Sequence, residues 1–362
     1  MRAQPLQKSR VNRYRIAAIP GDGIGNEVIP AGVEVLQALA TKEGFGVEFE
    51  TLDWSSRRYL ETGAYIPDGG LEKLKTFDAI FFGAVGSPEV PDHISLWGLR
   101  LPICQGFDQY ANVRPARVLP GIASPLGASG KDIDWVIIRE NTEGEYSGSG
   151  GRVHRGLPEE IATETSVFTR VGVERVHRFA FELARQRPRR QLTLVTKSNA
   201  QRHGMVLWDE IFYEVAAKYP DVKTDRVLVD AVTTRMVLKP ATLDTIVASN
   251  LHADILSDLA AALSGSLGIA PTANLNPERR FPSMFEPIHG SAFDIAGQGI
   301  ANPVATFWTA SMMLEHLGEP KAASRLMRAI EAVTAEGVHT PDLGGVHDTK
   351  AVTRAVLRSL GS

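Results

Sequence analysis

The feature that most restricts the fold is an alternation of short, strongly apolar runs with stretches of helical periodicity. Arg15-Ile-Ala-Ala-Ile19 leads through a glycine turn into a helical pattern reaching about Ala40. Ala79-Ile-Phe-Phe82, Trp135-Val-Ile-Ile138 and Leu192-Thr-Leu-Val195 are further runs of the same kind. Such alternation predicts an α/β protein on a mainly parallel sheet. With 362 residues, 43% of them hydrophobic, the chain can bury a large core, and two domains are expected. No linker divides it, so the chain is expected to cross between domains more than once. Gly and Ser cluster at Ser147 to Gly151, ahead of a polar, β-prone stretch through Thr165, which predicts an exposed hairpin arm near 147–168.

Composition excludes several classes of partner. The net charge of −3 gives no global basic field for nucleic acid or anionic lipid. Cys104 is the only cysteine, so an intrachain disulfide is impossible and a reducing compartment is favoured. Met1 to Arg13 is basic and polar without an apolar core, and no later run approaches the roughly 18–20 apolar residues of a membrane span. These features predict a soluble, cytoplasmic protein, with no membrane partner and a frayed tail from Met1 to Arg13.

Three aspartates carry the chemistry. Asp254 and Asp258 lie four apart in Asn250-Leu-His-Ala-Asp254-Ile-Leu-Ser-Asp258, and Asp230 ends Val227-Leu-Val-Asp230. Residues four apart share a helix face. The apolar surroundings from Ile246 to Leu263 predict a largely buried helix, where two carboxylates repel unless a cation lies between them. All-oxygen ligation suits Mg²⁺ or Mn²⁺; the alternative is a solvated acidic face.

Two glycine-rich segments differ in meaning. Gly21-Asp-Gly23-Ile-Gly25-Asn26 follows a strand and opens a helix, but Asn26 stands where the third glycine of the dinucleotide fingerprint would fall. The fingerprint fails, leaving a tight connection or a place near a ligand. The later segment, Glu286 through His289, Gly290, Ser291, Ala292, Asp294, Ile295 and Asn302 to Pro303, could wrap a nucleotide through backbone N–H groups and a ribose-binding carboxylate, or be an ordinary surface loop. Arg100, Arg114 and Arg139 each end an apolar or turn segment, where a guanidinium can reach into a cleft and grip a carboxylate. Together with the aspartates they describe a site for a metal-chelated dicarboxylate.

These segments resemble the metal-dependent β-decarboxylating dehydrogenases, a family that includes isopropylmalate, isocitrate, homoisocitrate and tartrate/D-malate dehydrogenases. The likeness runs from Gly21 to about Gly344 and is carried by Arg139-Glu-Asn-Thr-Glu-Gly-Glu-Tyr146, Asn250 to Asp258, and Glu286 to Pro303. It is closest to the tartrate/D-malate branch through Pro91-Asp-His93-Ile-Ser-Leu-Trp97-Gly98, Phe107 to Asn112, Thr196-Lys197-Ser198-Asn199 and Ala273 to Arg279. The resemblance implies a two-domain isopropylmalate/isocitrate dehydrogenase-like α/β fold with a central sheet, not a Rossmann fold. It implies a discontinuous cofactor domain at 1–108 and 265–362 and a substrate and dimerisation domain at 109–264. It implies NAD and Mn²⁺ or Mg²⁺, leaves a K⁺ requirement open, and suggests a homodimer with shared active sites acting on a small 2-hydroxy dicarboxylic acid.

Residue by residue, Arg100, Arg114 and Arg139 look like the carboxylate clamps, and Asp254 and Asp258 like metal ligands of one subunit. Asp230 and Lys197 look like contributions of the other, with Lys197 as proton acceptor and Tyr146 as proton donor after decarboxylation. His289, Gly290, Ser291, Ala292, Asp294, Ile295 and Asn302 look like cofactor contacts, with Asp294 favouring NAD over NADP. Leu96 and Trp97 stand where relatives that take an isopropyl group carry aliphatic residues, so the indole is expected to fill that space and His93 to contact a tartrate hydroxyl. Isopropylmalate dehydrogenase is an alternative differing only in that pocket. A non-catalytic regulatory subunit is another, disfavoured because Lys197, Tyr146 and all three aspartates are present.

Overall fold

The protein, seen in a computed structural model, is described over residues 12–361. Residues 1–11 of the expected tail lie outside the described residues, and Arg13, also assigned to that tail, instead opens a strand paired with Gly46. Twelve strands form among the described residues: β1 (Arg13–Gly21), β2 (Gly46–Thr51), β3 (Ala79–Ala84), β4 (Ala111–Arg117), β5 (Asp134–Glu140), β6 (Gly144–Val153), β7 (Ile161–Val167), β8 (Gln191–Thr196), β9 (Lys223–Leu228), β10 (Thr245–Ala248), β11 (Pro271–Leu275) and β12 (Ser283–Pro287). All four apolar runs of the sequence become strands, each extended by a few residues.

Ten strands make one sheet in the order β2-β1-β3-β12-β11-β4-β5-β10-β8-β9. Its flanks are parallel, as the alternation with helices predicts, but its middle is not: β12-β11, β11-β4 and β4-β5 pair antiparallel. The five strands on the β2 side come from residues 13–84 and 271–287, and the five on the β9 side from 111–248, so β11 against β4 is the seam. The hairpin arm forms as β6 against β7, antiparallel and separate from the main sheet.

Helices cover the sheet because their apolar stripes have nowhere else to go. Val28, Ile29, Val35, Leu36 and Leu39 of Gly25–Glu43 are buried, and this helix packs with Val304–Leu317, Pro320–Ala335 and Thr349–Gly361. On the other half, Arg170–Gln186 lies against Gly204–Ala216. Among the described residues no helix is long and apolar enough to cross a membrane.

One core side chain breaks the apolar pattern. His177, fully buried between these two helices, meets Trp208 edge-on at 4.3 Å and Phe212 at 5.4 Å, and neither ring nitrogen has a hydrogen-bond partner among the described residues. Burial alone holds its pKa down to about 3. Above the unfolded histidine value of about 6.5 neither state is charged and the residue contributes nothing. Below it the unfolded chain binds a proton that the folded chain refuses, so stability falls as pH drops from about 6.5 toward 3. His177→Leu should therefore flatten the acid side of the stability curve by up to roughly 1.4 kcal/mol per pH unit. Urea unfolding at pH 7 and pH 5 checks this; an unchanged difference between the two would refute it.

Candidate active site

The site is assembled at the seam, from the ends of strands. Parallel strands place their following loops on one edge, where ligands of open α/β sheets bind. Arg139 ends β5, the helix Asn250–Leu263 follows β10, and Lys197 follows β8, all on that edge. Glu145 fixes the helix, its carboxylate accepting from the Leu251 N–H at 3.1 Å and the Ser249 hydroxyl at 2.9 Å. An acidic acceptor at a helix N-terminus is favourable there.

Asp254 is the meeting point. Its carboxylate accepts from Arg114 at 3.2 Å, from Arg139 and from the Tyr146 hydroxyl at 3.3 Å. Burial works to raise the Asp254 pKa, but Arg139, Arg114 and Arg100 overcome it and hold the group at about 2. Each guanidinium is aimed by an acceptor at Nε: Arg114 by Asn112 at 2.7 Å, Arg139 by Asn250 at 2.8 Å, Arg100 by Glu286 at 2.8 Å. Ser257 takes a further N–H of Arg114 at 2.6 Å. Burial and the adjacent Arg139 pull Arg114 down to about 10. Burial and the Asp254 charge push the Tyr146 phenol up, so it keeps its proton.

Asp258 sits one turn along on the outer edge, where desolvation and the Asp254 charge push its carboxyl up against the pull of Arg114. The helix is less buried than its composition predicts: Leu251, Ile255 and Asp258 form an exposed strip. The apolar members of that strip face outward, which periodicity alone does not reveal. Asp230 stands apart, paired with Lys197 at 2.6 Å on a half-open surface. β9 lies two strands from β10, roughly 10 Å by ordinary strand spacing. Among the described residues no three His, Cys, Asp or Glu side chains come together as a metal cluster.

Arg100 and Arg114 share a cavity of about 140 Å³ with Leu96, Glu286, His289 and Gly290, so two of the arginines and the start of the glycine-rich loop face one space. Arg100 reaches it from a widened π turn, Leu96–Arg100. Pro102 has no N–H to offer the preceding turn, and a helix opens at such a point, often at a functional site. His289 donates from Nδ1 to the Gly290 carbonyl at 3.0 Å, while its buried Nε2 has no partner among the described residues. Burial keeps this imidazole neutral by lowering its pKa. Asp294 is exposed on the loop, Ile295 packs beneath it with Ile24, Val28 and Ala301, and the Asn302 amide is engaged by Asp342 and the Val304 N–H.

A family model described as isocitrate/isopropylmalate dehydrogenase matches residues 15–356. The chain belongs to that dehydrogenase family. It is 68% identical to a probable tartrate dehydrogenase/decarboxylase of Agrobacterium vitis over 97% of both chains. It is 52% identical to the decarboxylating D-malate dehydrogenase of Escherichia coli K12, covering 95% of this chain and 98% of that one. The crystal structure of isocitrate dehydrogenase from Methylococcus capsulatus superposes with a TM-score of 0.87 at 37% identity, covering 96% of this chain and all of the other. The family's fold, a two-part α/β structure around a large mixed sheet, is therefore the fold of this oxidoreductase.

Within the family fold, two residues singled out for substrate size sit elsewhere. Trp97 is 41% exposed, its six-membered ring covering Gly148 of the arm, and His93 is exposed one turn before it. Neither lines the cavity; Leu96 does. The π turn causes this, because it rotates the helix between Trp97 and Arg100. Sequence reasoning also passed over Asn112, Asn250, Ser257, Asn274 and Glu286, uncharged or acidic partners of the arginines. Asn112-Val-Arg114 carries a legible signal, since alternate residues of a strand share a face.

The first glycine turn is close-packed against the later glycine-rich segment. Gly23 adopts φ +52, and a Cβ there would lie 1.9 Å from the Ser291 carbonyl oxygen, the same oxygen that accepts the Ile24 N–H at 2.8 Å. Asp22 ties the turn to Ser56 and to the Gly86 N–H at 2.9 Å. Gly23→Ala should cost more than the roughly 1–2 kcal/mol of a left-handed alanine, and should speed amide exchange around residues 289–297. Wild-type stability together with unchanged exchange in that loop would contradict the packing.

Proposed function

We propose that this chain is an NAD-dependent, divalent-metal-dependent dehydrogenase. It oxidises (2R)-malate at C2 and releases the β-carboxyl as CO₂, giving pyruvate, and it oxidises tartrate with or without loss of CO₂. The observation that carries the reading is the convergence of three buried guanidinium groups on Asp254 beside the cavity that His289 and Gly290 close. The tartrate and D-malate enzymes that this chain resembles supply the substrate class.

Formal charges within the site cancel, three guanidinium groups against Glu286, Asp254 and Asp258. A dicarboxylate dianion is therefore best accepted together with a dication. Asp254 and Asp258 offer the hard oxygen donors Mn²⁺ or Mg²⁺ prefers. When bound, the cation lowers the pKa of the substrate hydroxyl and draws off charge as CO₂ leaves, and NAD takes the hydride from C2.

The chain's own groups do the rest. The arginines hold both carboxylates and fix C2. Lys197 accepts the hydroxyl proton as the carbonyl forms. Tyr146, with its raised pKa, holds the proton that C3 receives after decarboxylation. The unpartnered His289 Nε2 is a polar group left for the cofactor, and Asp294 can accept from ribose hydroxyls while opposing a 2′-phosphate. Asn302 acts by bracing the loop through Asp342 and Val304.

The two halves of the sheet serve as the cofactor part (1–108, 265–362) and the substrate part (109–264). Lys197 is paired with Asp230, which follows β9 two strands from β10, and the two serve the site of a second copy in a homodimer. The exposed Leu251 and Ile255 beside Asp258 support that pairing. The buried Cys104 suits the cytoplasm.

A steady-state panel with NAD or NADP, Mn²⁺ with and without K⁺, and D-malate, L-tartrate, meso-tartrate or 3-isopropylmalate tests the reading. D-malate and one tartrate isomer should give the highest kcat/KM, with NAD preferred; a higher value for 3-isopropylmalate would overturn it. The shared site is tested by complementation. Asp254→Asn should abolish Mn²⁺-dependent turnover and Lys197→Ala should lose about 10² to 10⁴ in rate. Randomly reassociated mixtures of the two variants should recover about a quarter of wild-type activity, one intact site in half of the dimers. No recovery in verified mixed dimers would place each site within one chain.

A further inference from the structure

Asn274 lies at the seam of the sheet, fully buried, opposite Asn112 of β4, which in turn is opposite Arg139 of β5. Its side-chain oxygen accepts from Arg100 at 3.1 Å, from the Asn112 amide at 2.8 Å and from the Asn141 amide at 3.0 Å. Its side-chain nitrogen donates to Glu286 at 2.7 Å and to the Met284 carbonyl at 3.3 Å. These contacts fix the amide's orientation, because only the oxygen can face three donors and only the nitrogen can face a carboxylate.

The consequence reaches both carboxylate clamps. Arg100, from the β2 side of the sheet, is held by Asn274 directly and through Glu286, which Asn274 also holds. Arg114, from the β9 side, is aimed by Asn112, whose amide Asn274 accepts while Asn112 accepts the Arg114 Nε. One neutral side chain thus joins guanidinium groups from the two halves across a strand pair.

We propose that Asn274 is a positioning residue for the dicarboxylate, setting Arg100 and Arg114 as a single unit; this rests on the clamp reading given above. A neutral amide suits the place. It accepts from a guanidinium on one side and donates to a carboxylate on the other without adding charge to a balanced site.

The test is a double-mutant cycle on the full-length enzyme. Asn274→Ala should raise KM for D-malate about 10- to 100-fold, the effect of losing hydrogen bonds to charged partners, while the Kd for NAD stays within about twofold. In an Arg100→Ala background the same change should raise KM by less, because one of the two arginines through which it acts is gone and only the route through Asn112 to Arg114 is left. Full additivity of the two effects, or an unchanged KM in Asn274→Ala, overturns the proposal while leaving the clamps intact. An unchanged KM in Arg100→Ala alone instead removes the clamp reading and the proposal with it. Asn274→Ser keeps a neutral oxygen able to accept from a guanidinium, adds no charge beside Glu286, and guards against a misfolded alanine variant. Its KM should rise less than that of Asn274→Ala, and a folded serine variant as impaired as the alanine one also counts against the proposal.

Discussion

The structure depends on holding three guanidinium groups close together out of water. Removing an ion from water costs several kcal/mol even after relaxation, and at Arg114 the like charge of Arg139 adds to burial in disfavouring the protonated form. Asp254 offsets that cost by accepting from two of them, and Glu286 does the same for Arg100. The acceptors at Nε then decide direction. A guanidinium whose Nε is engaged turns its terminal nitrogens one way, so Asn112, Asn250 and Glu286 convert three mobile charges into an oriented receptor. Everything else at the seam, including the antiparallel break in the sheet, brings these partners into reach.

How far this was legible in the sequence follows from the range of the interaction each residue makes. The strands at Ile16, Phe81, Ile137 and Leu194 were readable because burial on both faces leaves an apolar run. The Asp254/Asp258 pair was readable because helical spacing is local. The antiparallel middle was not, because it depends on β11 meeting β4 from about 160 positions away, as the Asn112 to Thr272 bond illustrates. The same distance hid Asn274 and Glu286, which look like ordinary strand residues until the seam closes. The outward face of Leu251 and Ile255 was hidden for another reason: an apolar helix face turned outward has the same periodicity as one turned to the core.

Trp97 shows how one local irregularity redirects a side chain. Counted back along a regular helix, its indole and Arg100 lie on one face, as positions three apart do. The widened turn before Pro102 breaks that relation. Trp97 lies on the arm, where Gly148 has no side chain to obstruct the ring, and Leu96 takes the place beside Arg100 and Arg114. The helix therefore links the arm to the cavity: an indole braced on β6 holds the turn from outside while Glu286 and Asn274 hold Arg100 from inside.

The same irregularity sets the walls of the cavity. About 140 Å³ is enclosed between Leu96, Arg100, Arg114 and His289, and the strand ends and buried ion pairs around it cannot shift cheaply. Leu96 joins Val85 and Ile288 in its aliphatic lining, and of these three only Leu96 stands on the widened turn that carries Arg100. The position of that leucine is therefore set together with the arginine's, so one departure from regular helix places an apolar wall and a charged wall of the cavity at once.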